Sequence, residues 1–595
     1  MTLSTLNQIF FSIVDRDQPC VMKHQVSEKW AAISSLDFYR NVVAVSRSLR
    51  EWGIAKGGRV AILSENRPEW TMADFACLLI GAVVVPIYAT LTEEQTAYIL
   101  RDAGARVVFV SSQKQLQKIL DKRDSTSIER IVVMDDLESD GVVAMSQLRK
   151  NGPSQRDASF DKLALSTATP NDLATIIYTS GTTGTPKGVM LTHGNIASNI
   201  EYSLRGFDIG SADISISFLP LSHITARHLD LALLHRGATL AYVSFIEQLP
   251  KALLEVRPTF VVAVPRVYEK VYAKVDLAAK SFPKNLLYKW AISTGRSHSA
   301  EILAGRRPAS PSWKILNRLL YRRVLAGFGG TARFFISGGA PLGRELAEWY
   351  ADMGIRIHEG YGLTETSPVI ALNNPTAHKI GTVGKVLANL EVRIAEDGEI
   401  LVRGPSVFQG YWNLPEETRN AFVDGWFKTG DIGNIDADGF LSITDRKKDL
   451  IKTSGGKFIA PQPIENSLKH NPLVAEAVVL GDKQKFPAVL IAPAFSVLEN
   501  WACSHQITFA SRQELVADPA VRSLYEKIVE DVNQNLARFE KLKKVLLVPD
   551  EFSAENETLT ASMKLRRRAV EKRYAKEIEG VYSGTEASGA APQPE

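Results

Sequence analysis

The chain has 595 residues, of which 45% are hydrophobic and 23% charged, and this balance is typical of a soluble globular protein. The composition excludes a mostly disordered chain, a collagen-like repeat and a small disulfide scaffold, and the length predicts about two to four domains. The formal net charge is only +4, so we do not expect nucleic acid to be the main partner.

Cysteine usage indicates the redox compartment. The three cysteines, Cys20, Cys77 and Cys503, lie far apart and form no Cys-x-x-Cys pair. This pattern favours neither a zinc site nor a disulfide framework, and it fits a reducing cytoplasm.

Two apolar segments near the N-terminus require an interpretation. Segment 1–20 has no basic residues ahead of its apolar stretch, so we expect no signal peptide. The uncharged stretch 75–92 is interrupted by Gly81 and Pro86, and we therefore expect a buried helix followed by a strand at 82–87, not a membrane span.

Short apolar strands alternate with helical patterns over the first part of the chain. The predicted strands include 59–63, 107–110, 130–134, 239–243 and 259–264. Such alternation predicts an α/β fold with a large N-terminal domain of stacked, mostly parallel sheets covered by helices.

Segment 267–330 is different, because it is helical and basic. Its string WKILNRLLYRRVLAGFGG places four cations among apolar side chains: Lys314, Arg318, Arg322 and Arg323 among Trp313, Leu316, Leu319 and Leu320. Either this helix packs on the large domain, or its apolar residues rest on an anionic bilayer, as a peripheral contact at the inner membrane face.

The remainder predicts a small β-rich subdomain and a small α+β domain. Segment 381–444 contains two hairpins, which turn at Asp397-Gly398 and near Asp438-Gly439. Beyond it we predict helices near 463–468 and 520–537, and strands at 474–480, 487–491 and 545–548. The predicted domains are 1–445, a mobile C-terminal domain at 446–583, and a disordered tail at 584–595.

The sharpest motif is the string YTSGTTGTPKG at 178–188, directly after the apolar strand 173–177. Its glycines permit positive φ and close backbone approach, its hydroxyls are hydrogen-bond donors, and Lys187 adds a cation. Backbone N–H groups in such a loop bind anions, so the string predicts a phosphate loop. It is neither a Walker loop nor a G-x-G-x-x-G dinucleotide turn.

Four further strings follow this loop in chain order: SGGAPL at 337–342, EGYGLTE at 359–365, Thr-Gly-Asp at 429–431 and LTASMKLRR at 559–567. Together with the loop, they resemble the motifs of adenylate-forming enzymes, the AMP-dependent synthetases and ligases. The resemblance covers about residues 38–568. The helical insert and the string at 445–465 are most similar to the long-chain acyl-CoA synthetase branch.

The resemblance implies how ATP and AMP are bound. Tyr361 would stack on adenine, Asp431 would accept bonds from both ribose hydroxyls, and Arg446 would contact the ribose and phosphates. The full set implied is Thr179, Ser180, Gly181, Thr182, Thr183, Gly184, Lys187, Gly338, Gly339, Ala340, Glu359, Gly360, Tyr361, Gly362, Asp431 and Arg446.

The resemblance also implies catalytic residues. Thr364 would contact the α-phosphate, and Glu365 would hold Mg²⁺ together with Thr182. Lys564 would bridge the substrate carboxylate and the phosphates, although its basic neighbours also fit a nucleic-acid or phosphate patch. It follows Met563, where fatty-acid-activating members carry an apolar residue and many other members a glycine.

Three further assignments follow from the same family. His223 falls where the fatty-acid branch has a histidine beside the acyl pocket, although a lone histidine is more often structural. Lys448 falls at the hinge of the small domain. Lys452, Gly455 and Gly456 would face the active site during the thioester step.

The implied reaction activates a long-chain fatty acid with ATP and Mg²⁺ to acyl-AMP, and then forms a thioester with coenzyme A. Two alternatives remain at this point. One is an acyl-AMP ligase that passes the acyl group to a carrier protein. The other is a non-catalytic protein that binds a membrane surface through the basic insert, against which Glu365, Asp431 and Lys564 argue. The sequence predicts no oligomeric state.

Overall fold

In the computed structural model, helices and strands alternate along most of the chain, which is described for residues 3–137, 139–179, 186–279, 284–454, 457–553, 555–560 and 565–583. The helices are α1 Leu6–Val14, α2 Ser35–Glu51, α3 Pro68–Leu79, α4 Glu93–Ala103, α5 Gln113–Leu120, α6 Met145–Arg149, α7 Ala158–Thr167, α8 His193–Ser203, α9 Ile224–Arg236, α10 Leu249–Val256, α11 Pro265–Ala279, α12 Lys284–Ser297, α13 Ser299–Leu303, α14 Pro311–Leu316, α15 Arg322–Ala326, α16 Arg344–Asp352, α17 Pro415–Asn420, α18 Pro461–Lys469, α19 Phe495–Ser504, α20 Arg512–Ala517, α21 Pro519–Asn533, α22 Arg567–Arg573 and α23 Ala575–Ser583.

The strands are β1 Met22–Val26, β2 Lys29–Ile33, β3 Arg59–Leu63, β4 Val83–Ile87, β5 Val107–Val110, β6 Arg130–Val133, β7 Val142–Ala144, β8 Leu173–Thr179, β9 Lys187–Thr192, β10 Ile214–Ser217, β11 Thr239–Tyr242, β12 Phe260–Ala263, β13 Phe334–Ser337, β14 Ile357–Gly362, β15 Val369–Leu372, β16 Lys385–Val386, β17 Glu391–Ile394, β18 Glu399–Arg403, β19 Gly410–Tyr411, β20 Phe422–Val423, β21 Trp426–Ile435, β22 Leu441–Arg446, β23 Ile451–Lys452, β24 Phe458–Ile459, β25 Val474–Leu480, β26 Ala488–Pro493 and β27 Val545–Leu547. Short 3₁₀ turns cover Arg123–Ser125, Ile246–Gln248 and Thr364–Thr366, and a π-helical turn covers Asn317–Tyr321.

Local chemistry accounts for many of these boundaries. Thr92 caps α4, because its hydroxyl accepts the Gln95 backbone N–H while the Gln95 side chain accepts the N–H of Thr92. The same helix ends at Gly104, whose φ of 63° is left-handed. Asp518 caps α21 and is followed by Pro519 at the first helical position, where a missing N–H costs nothing.

Two large sheets, mostly parallel, form the framework of the first compact unit. The nine-stranded sheet has the order β16-β15-β14-β13-β12-β10-β11-β1-β2, and the eight-stranded sheet the order β19-β9-β8-β4-β3-β5-β6-β7. Helices α1, α2, α3, α8 and α9 contribute buried apolar side chains to the largest core cluster, together with residues of both sheets. The predicted α/β fold with stacked parallel sheets is confirmed.

A third sheet, of five strands, corresponds to the predicted β-rich segment. Its order is β17-β18-β21-β20, and β22 also pairs with β21. The two predicted hairpins are present, since Asp397-Gly398 connects β17 to β18 and Asp438-Gly439 connects β21 to β22.

The C-terminal part has its own cores. Strands β25, β26 and β27 form a three-stranded sheet, whose two faces contribute to separate clusters of buried apolar residues. Helix α21 is shorter than predicted, ending at Asn533 instead of residue 537. The reason is tertiary: the Asn533 side chain bonds both the N–H and the carbonyl of Leu542, which ties the chain to the segment that leads back to β27.

The basic segment folds as the helices α11 to α15. Trp313 and Leu316 are buried, and the Trp313 ring lies 4.4 Å from that of Tyr321, whose hydroxyl donates to the carbonyl of Ala291 on α12. Of the two alternatives, contact with a bilayer is therefore excluded for the side chains of Trp313 and Leu316. The Trp313 ring also lies beside Gly354, which follows α16, so it packs partly on residues outside the insert.

The chain forms two compact units. The first comprises Met1–Val271, Ala278–Thr429 and Ile435–Ser442, and the second Tyr272–Leu277, Gly430–Asn434 and Ile443–Glu595. Across the described ranges, we find no helix with the length and apolarity needed to cross a membrane. The stretch 75–92 contains the end of α3 and all of β4, as predicted.

Candidate active site

The glycine-rich loop connects two paired strands of the eight-stranded sheet. β8 and β9 are antiparallel, with Thr179 opposite Lys187. A Cβ at Gly188 would lie 2.7 Å from the Ile176 side chain and 3.2 Å from that of Trp412, so close packing requires glycine there. The loop residues Ser180, Gly181, Thr182, Thr183 and Gly184 lie outside the described residues.

The second and third motifs lie side by side at one edge of the nine-stranded sheet. β13 and β14 are parallel, with Ser337 opposite Glu359. Gly338, Gly339 and Ala340 therefore leave β13 beside the point where β14 enters its motif. This is the carboxyl edge of parallel strands, where ligands bind in open α/β sheets.

Glu359 lies at this carboxyl edge, and its side chain makes one contact with a backbone N–H. The N–H of Leu342 points to its Oε2 at 3.4 Å. Burial raises the pKa of Glu359 to about 7, because the charged carboxylate loses solvation, and the Leu342 N–H offsets part of that rise. The side chain therefore links the SGGAPL turn to β14.

The glycines of the EGYGLTE motif are required by close backbone approach. A Cβ at Gly362 would lie 1.7 Å from the carbonyl oxygen of Pro368, and one at Gly360 would lie 2.9 Å from the Leu372 side chain. These contacts fold β15 back onto β14. Tyr361, between the two glycines, is partly buried, and Thr364, in the turn between β14 and β15, is buried.

The structure brings Glu365 and Lys187 to the same tyrosine. The hydroxyl of Tyr411 donates to Oε1 of Glu365 at 2.9 Å, and Nζ of Lys187 lies 5.5 Å from the centre of the Tyr411 ring. Sequence reasoning missed Tyr411. It lies 46 residues from Glu365 in the chain, and no spacing in the sequence indicates that the two meet.

The donor set at this place fits magnesium. Mg²⁺ in nucleotide sites is usually held by one or two carboxylates together with substrate phosphates, so a single Glu is sufficient. Within the part of the chain that the structure describes, no group of three or more His, Cys, Asp or Glu side chains could hold a metal ion by itself. Glu365 is the carboxylate that the motif predicts for this role.

His223 is placed by the start of α9. It precedes the helix as its N-cap, and its Nδ1 accepts the N–H of Thr225 at 3.1 Å. In a neutral ring this bond puts the proton on Nε2. The preceding loop is held by Asn66, which the sequence analysis did not single out: its Nδ2 donates to the carbonyl of Leu219 at 2.7 Å, and its Oδ1 accepts the N–H of Leu221 at 3.1 Å.

The second unit carries the candidate ribose and hinge residues. Asp431 is buried and forms an ion pair with Arg446, whose Nε lies 3.4 Å from its Oδ1. Asp445 anchors the start of the hinge segment: its two oxygens accept the N–H groups of Arg446 and Gln462. Lys448 lies three residues after Asp445.

The remaining candidates lie farther along the second unit. Lys452 ends β23, which pairs with β24, and its Nζ lies 5.3 Å from the centre of the Phe458 ring. Gly455, Gly456 and Lys564 lie outside the described residues.

The segments on either side of Lys564 are anchored. Leu559 and Leu565 form an antiparallel bridge, and Arg567 pairs with the buried Glu465 at 2.5 Å while donating to the carbonyl of Val479. The pairing of Leu559 with Leu565 brings the two ends of the segment that contains Lys564 together.

Comparisons with known proteins agree with this geometry. The model of the AMP-binding enzyme family matches residues 15–412, and the model of the AMP-binding enzyme C-terminal domain matches residues 448–586. The chain is 37% identical over 577 residues to the long-chain-fatty-acid–CoA ligase FadD15 of Mycobacterium bovis, covering 96% of each chain. It is 30% identical to the long-chain-fatty-acid–CoA ligase ACSBG2 of Xenopus laevis, covering 99% of this chain and 85% of the other.

Among solved structures, the chain is similar to the anthranilate CoA ligase AuaEII in complex with anthranoyl-AMP. The TM-score is 0.74 at 19% identity, covering 98% of this chain and 99% of that one, and this supports the fold. The family matches and the full-length relatives together confirm the resemblance drawn from the motifs. The chain belongs to the AMP-binding enzyme family and groups there with the long-chain fatty acid–CoA ligases.

Proposed function

We propose that the protein activates a long-chain fatty acid with ATP and Mg²⁺, releases pyrophosphate, and transfers the acyl group from acyl-AMP to coenzyme A. The observation that carries the proposal is the similarity to long-chain fatty acid–CoA ligases over nearly the whole chain. The proposal is also supported by the contacts of Tyr411, because a carboxylate, Glu365, and a cation, Lys187, both lie against it.

Charge is the main obstacle to the first step. The fatty acid carboxylate must attack the α-phosphate of ATP, and both groups are anions. Lys187 from the large unit and Lys564 from the small domain would neutralise phosphate and carboxylate charge before they meet. Bound Mg²⁺, held by Glu365 and Thr182, would add a further positive charge on the phosphates.

The second step needs a different environment. The thiol of coenzyme A attacks the acyl carbon of acyl-AMP, AMP leaves, and no covalent acyl-enzyme is required. We assign Lys564 to the first step, Lys452, Gly455 and Gly456 to the second, and Lys448 to the hinge between them. The domains proposed for this alternation are 1–445 and 446–583.

The decisive experiment is a panel of carboxylic acids of increasing chain length, incubated with ATP, Mg²⁺ and coenzyme A. We expect mass spectrometry to detect acyl-CoA thioesters for long-chain acids, with AMP formed in equal amount. Formation of acyl-AMP without any thioester would contradict the proposal. In that case holo-carrier protein, offered as acceptor in place of coenzyme A, tests the alternative of an acyl-AMP ligase.

The basic insert provides a surface for peripheral membrane contact at the inner face of the cytoplasmic membrane. Among its exposed apolar side chains, besides Leu277 on α11, are two pairs: Leu286 and Trp290 on α12 and, after Trp313, Ile315 and Leu319. The two members of each pair are four residues apart. Beside the second pair, the cations Lys314, Arg318 and Arg322 are exposed. Each cation near an anionic bilayer contributes about 1 kcal/mol.

Liposome flotation tests this contact. We expect the protein to float with vesicles that contain anionic lipid and to remain in the bottom fraction with neutral vesicles. A variant with Arg318→Ala and Arg322→Ala should lose most of the shift, whereas Lys485→Ala, in the second unit, should not. No lipid-dependent shift would mean that the insert only packs on the large domain.

A further inference from the structure

The short strand β19 connects parts of the site that are far apart in the chain. It pairs with β9, the strand that begins at Lys187, so that Tyr411 lies opposite Val189. The following residue continues this contact, because the N–H of Trp412 donates to the carbonyl of Gly188 at 2.7 Å. Tyr411 is therefore placed by the backbone of the strand that ends the phosphate loop.

The same segment also holds Glu365. The N–H of Phe408 donates to the main-chain carbonyl of Glu365 at 2.8 Å, and the hydroxyl of Tyr411 donates to its carboxylate at 2.9 Å. Glu365 is thus held both at its backbone and at its side chain by residues only three positions apart.

Tyr411 itself has little freedom to move. Its N–H donates to the hydroxyl of Thr418, and its ring packs edge-on against that of Phe408 at 4.9 Å. Gly410 has a φ of 145°, and a Cβ there would lie 2.6 Å from the Thr418 side chain. The phenol is thus presented to Glu365 from a rigid support.

The chemistry of the phenol suits this position. A phenol hydroxyl is a neutral donor near pH 7, so it can donate to the Glu365 carboxylate that it contacts. The ring face is electron-rich and attracts the ammonium of Lys187. One side chain therefore contacts both the candidate metal ligand and the candidate phosphate cation.

We propose that Tyr411 is a positioning residue for the ATP step. It orients the Glu365 carboxylate for Mg²⁺, and it fixes the position of the Lys187 ammonium relative to that carboxylate. The inference rests on the proposed function. It assigns Tyr411 no contact with substrate and no proton transfer. The effect of its hydroxyl, which contacts Glu365, should therefore appear in the binding of Mg²⁺-nucleotide and be absent from nucleotide binding without metal.

Tyr411→Phe tests the inference, because it removes the hydroxyl and keeps the ring beside Lys187. Calorimetric titration with a non-hydrolysable ATP analogue should show affinity in Mg²⁺ weakened about tenfold or more, which corresponds to the loss of one hydrogen bond to a charged group. Affinity in EDTA should change less than twofold. Conversion of pre-made acyl-AMP and coenzyme A to thioester should also remain within twofold.

Tyr39→Phe is the matched control. It removes a tyrosine-to-carboxylate hydrogen bond of the same length, 2.9 Å to Asp161, from helices that carry none of the site residues. We expect it to leave both titrations unchanged. Equal losses in the two variants, or equal losses with and without Mg²⁺, would overturn the inference.

A double variant shows whether Tyr411 acts through Glu365. In a Glu365→Gln background, Tyr411→Phe should cause no further loss of Mg²⁺-dependent affinity, and an additive loss would overturn the inference. These binding measurements do not depend on the identity of the acid. If the wild type binds Mg²⁺-nucleotide but forms no acyl-CoA, the proposed function fails while the role of Tyr411 is still decided.

Discussion

At the scale of single residues, Asp230 is a buried acid on α9 whose carboxyl group accepts a hydrogen bond from a hydroxyl. Ser217 donates to its Oδ2 at 2.7 Å, and burial raises its pKa from 3.8 to about 7. Between these two pH values the folded protein retains a proton that the unfolded chain has released. The contribution of Asp230 to stability is therefore present at low pH and is lost as the pH rises through this window.

Asp230→Asn should remove this dependence, because an amide stays neutral and can still accept from Ser217. We expect the stability of the variant relative to wild type to rise between pH 4 and 7, by up to about 1.4 kcal/mol per pH unit. Urea unfolding at pH 5, 6, 7 and 8 measures it. Glu359, whose pKa is also raised, is present in both proteins and cancels in the difference. Parallel stability curves would show that Asp230 is ionised in the fold.

Asp431 is the residue at which the ribose assignment can be tested. Asp431→Ala should raise the KM for ATP strongly, because two charge-assisted hydrogen bonds are lost, each worth about 1.5–3 kcal/mol. The KM for the fatty acid should change little. Asp436→Ala, which removes an exposed partner of Lys379, serves as a control. An unaltered ATP dependence would remove Asp431 from the nucleotide site.

At the scale of elements, the loop between β10 and α9 depends on a residue of the loop between β3 and α3, which belongs to the other large sheet. Asn66 is 4% exposed and makes hydrogen bonds to Leu219 and Leu221, just ahead of His223. Its replacement by alanine leaves a buried N–H and a buried carbonyl without these partners, at about 1–3 kcal/mol each. The N-cap at His223 would then be poorly placed.

We expect Asn66→Ala to raise the KM for the fatty acid severalfold while the KM for ATP stays within about twofold. Ser244→Ala is the control, since it removes only a bond to the main-chain carbonyl of Asn66. Steady-state kinetics with each substrate varied in turn gives both constants. A parallel rise of the two KM values would mean that His223 does not lie beside the acyl group.

At the scale of the whole molecule, a single substitution should impair one half-reaction and leave the other intact. Lys564→Ala should abolish fatty-acid-dependent ATP–pyrophosphate exchange and leave the conversion of acyl-AMP and coenzyme A to thioester intact. Lys448→Pro should do the opposite, because proline fixes φ near −65° and restricts the residue before it. If both variants damage both half-reactions equally without unfolding, one static arrangement serves both steps.

Much of the fold followed from local patterns. The strands 59–63 and 107–110 and both glycine hairpins were predicted at their observed positions, because alternation, β-branched runs and turn residues act over a few neighbours. The end of α21 was not predicted correctly, because no helix-breaking residue marks it in the sequence. The helix is ended instead by the hydrogen bonds between Asn533 and Leu542.

For the site, the sequence by itself determined the motifs: Lys187, Glu359 and Glu365 stand in strings whose chemistry indicates phosphate, adenine and metal. Only the tertiary structure decided what supports them. Tyr411 and Asn66 act through partners far away in the chain, and such contacts arise from strand pairing and loop packing, which leave no periodic signal in the sequence. Tertiary packing likewise buried Trp313 and Leu316, because an amphipathic pattern specifies an apolar face but not what covers it.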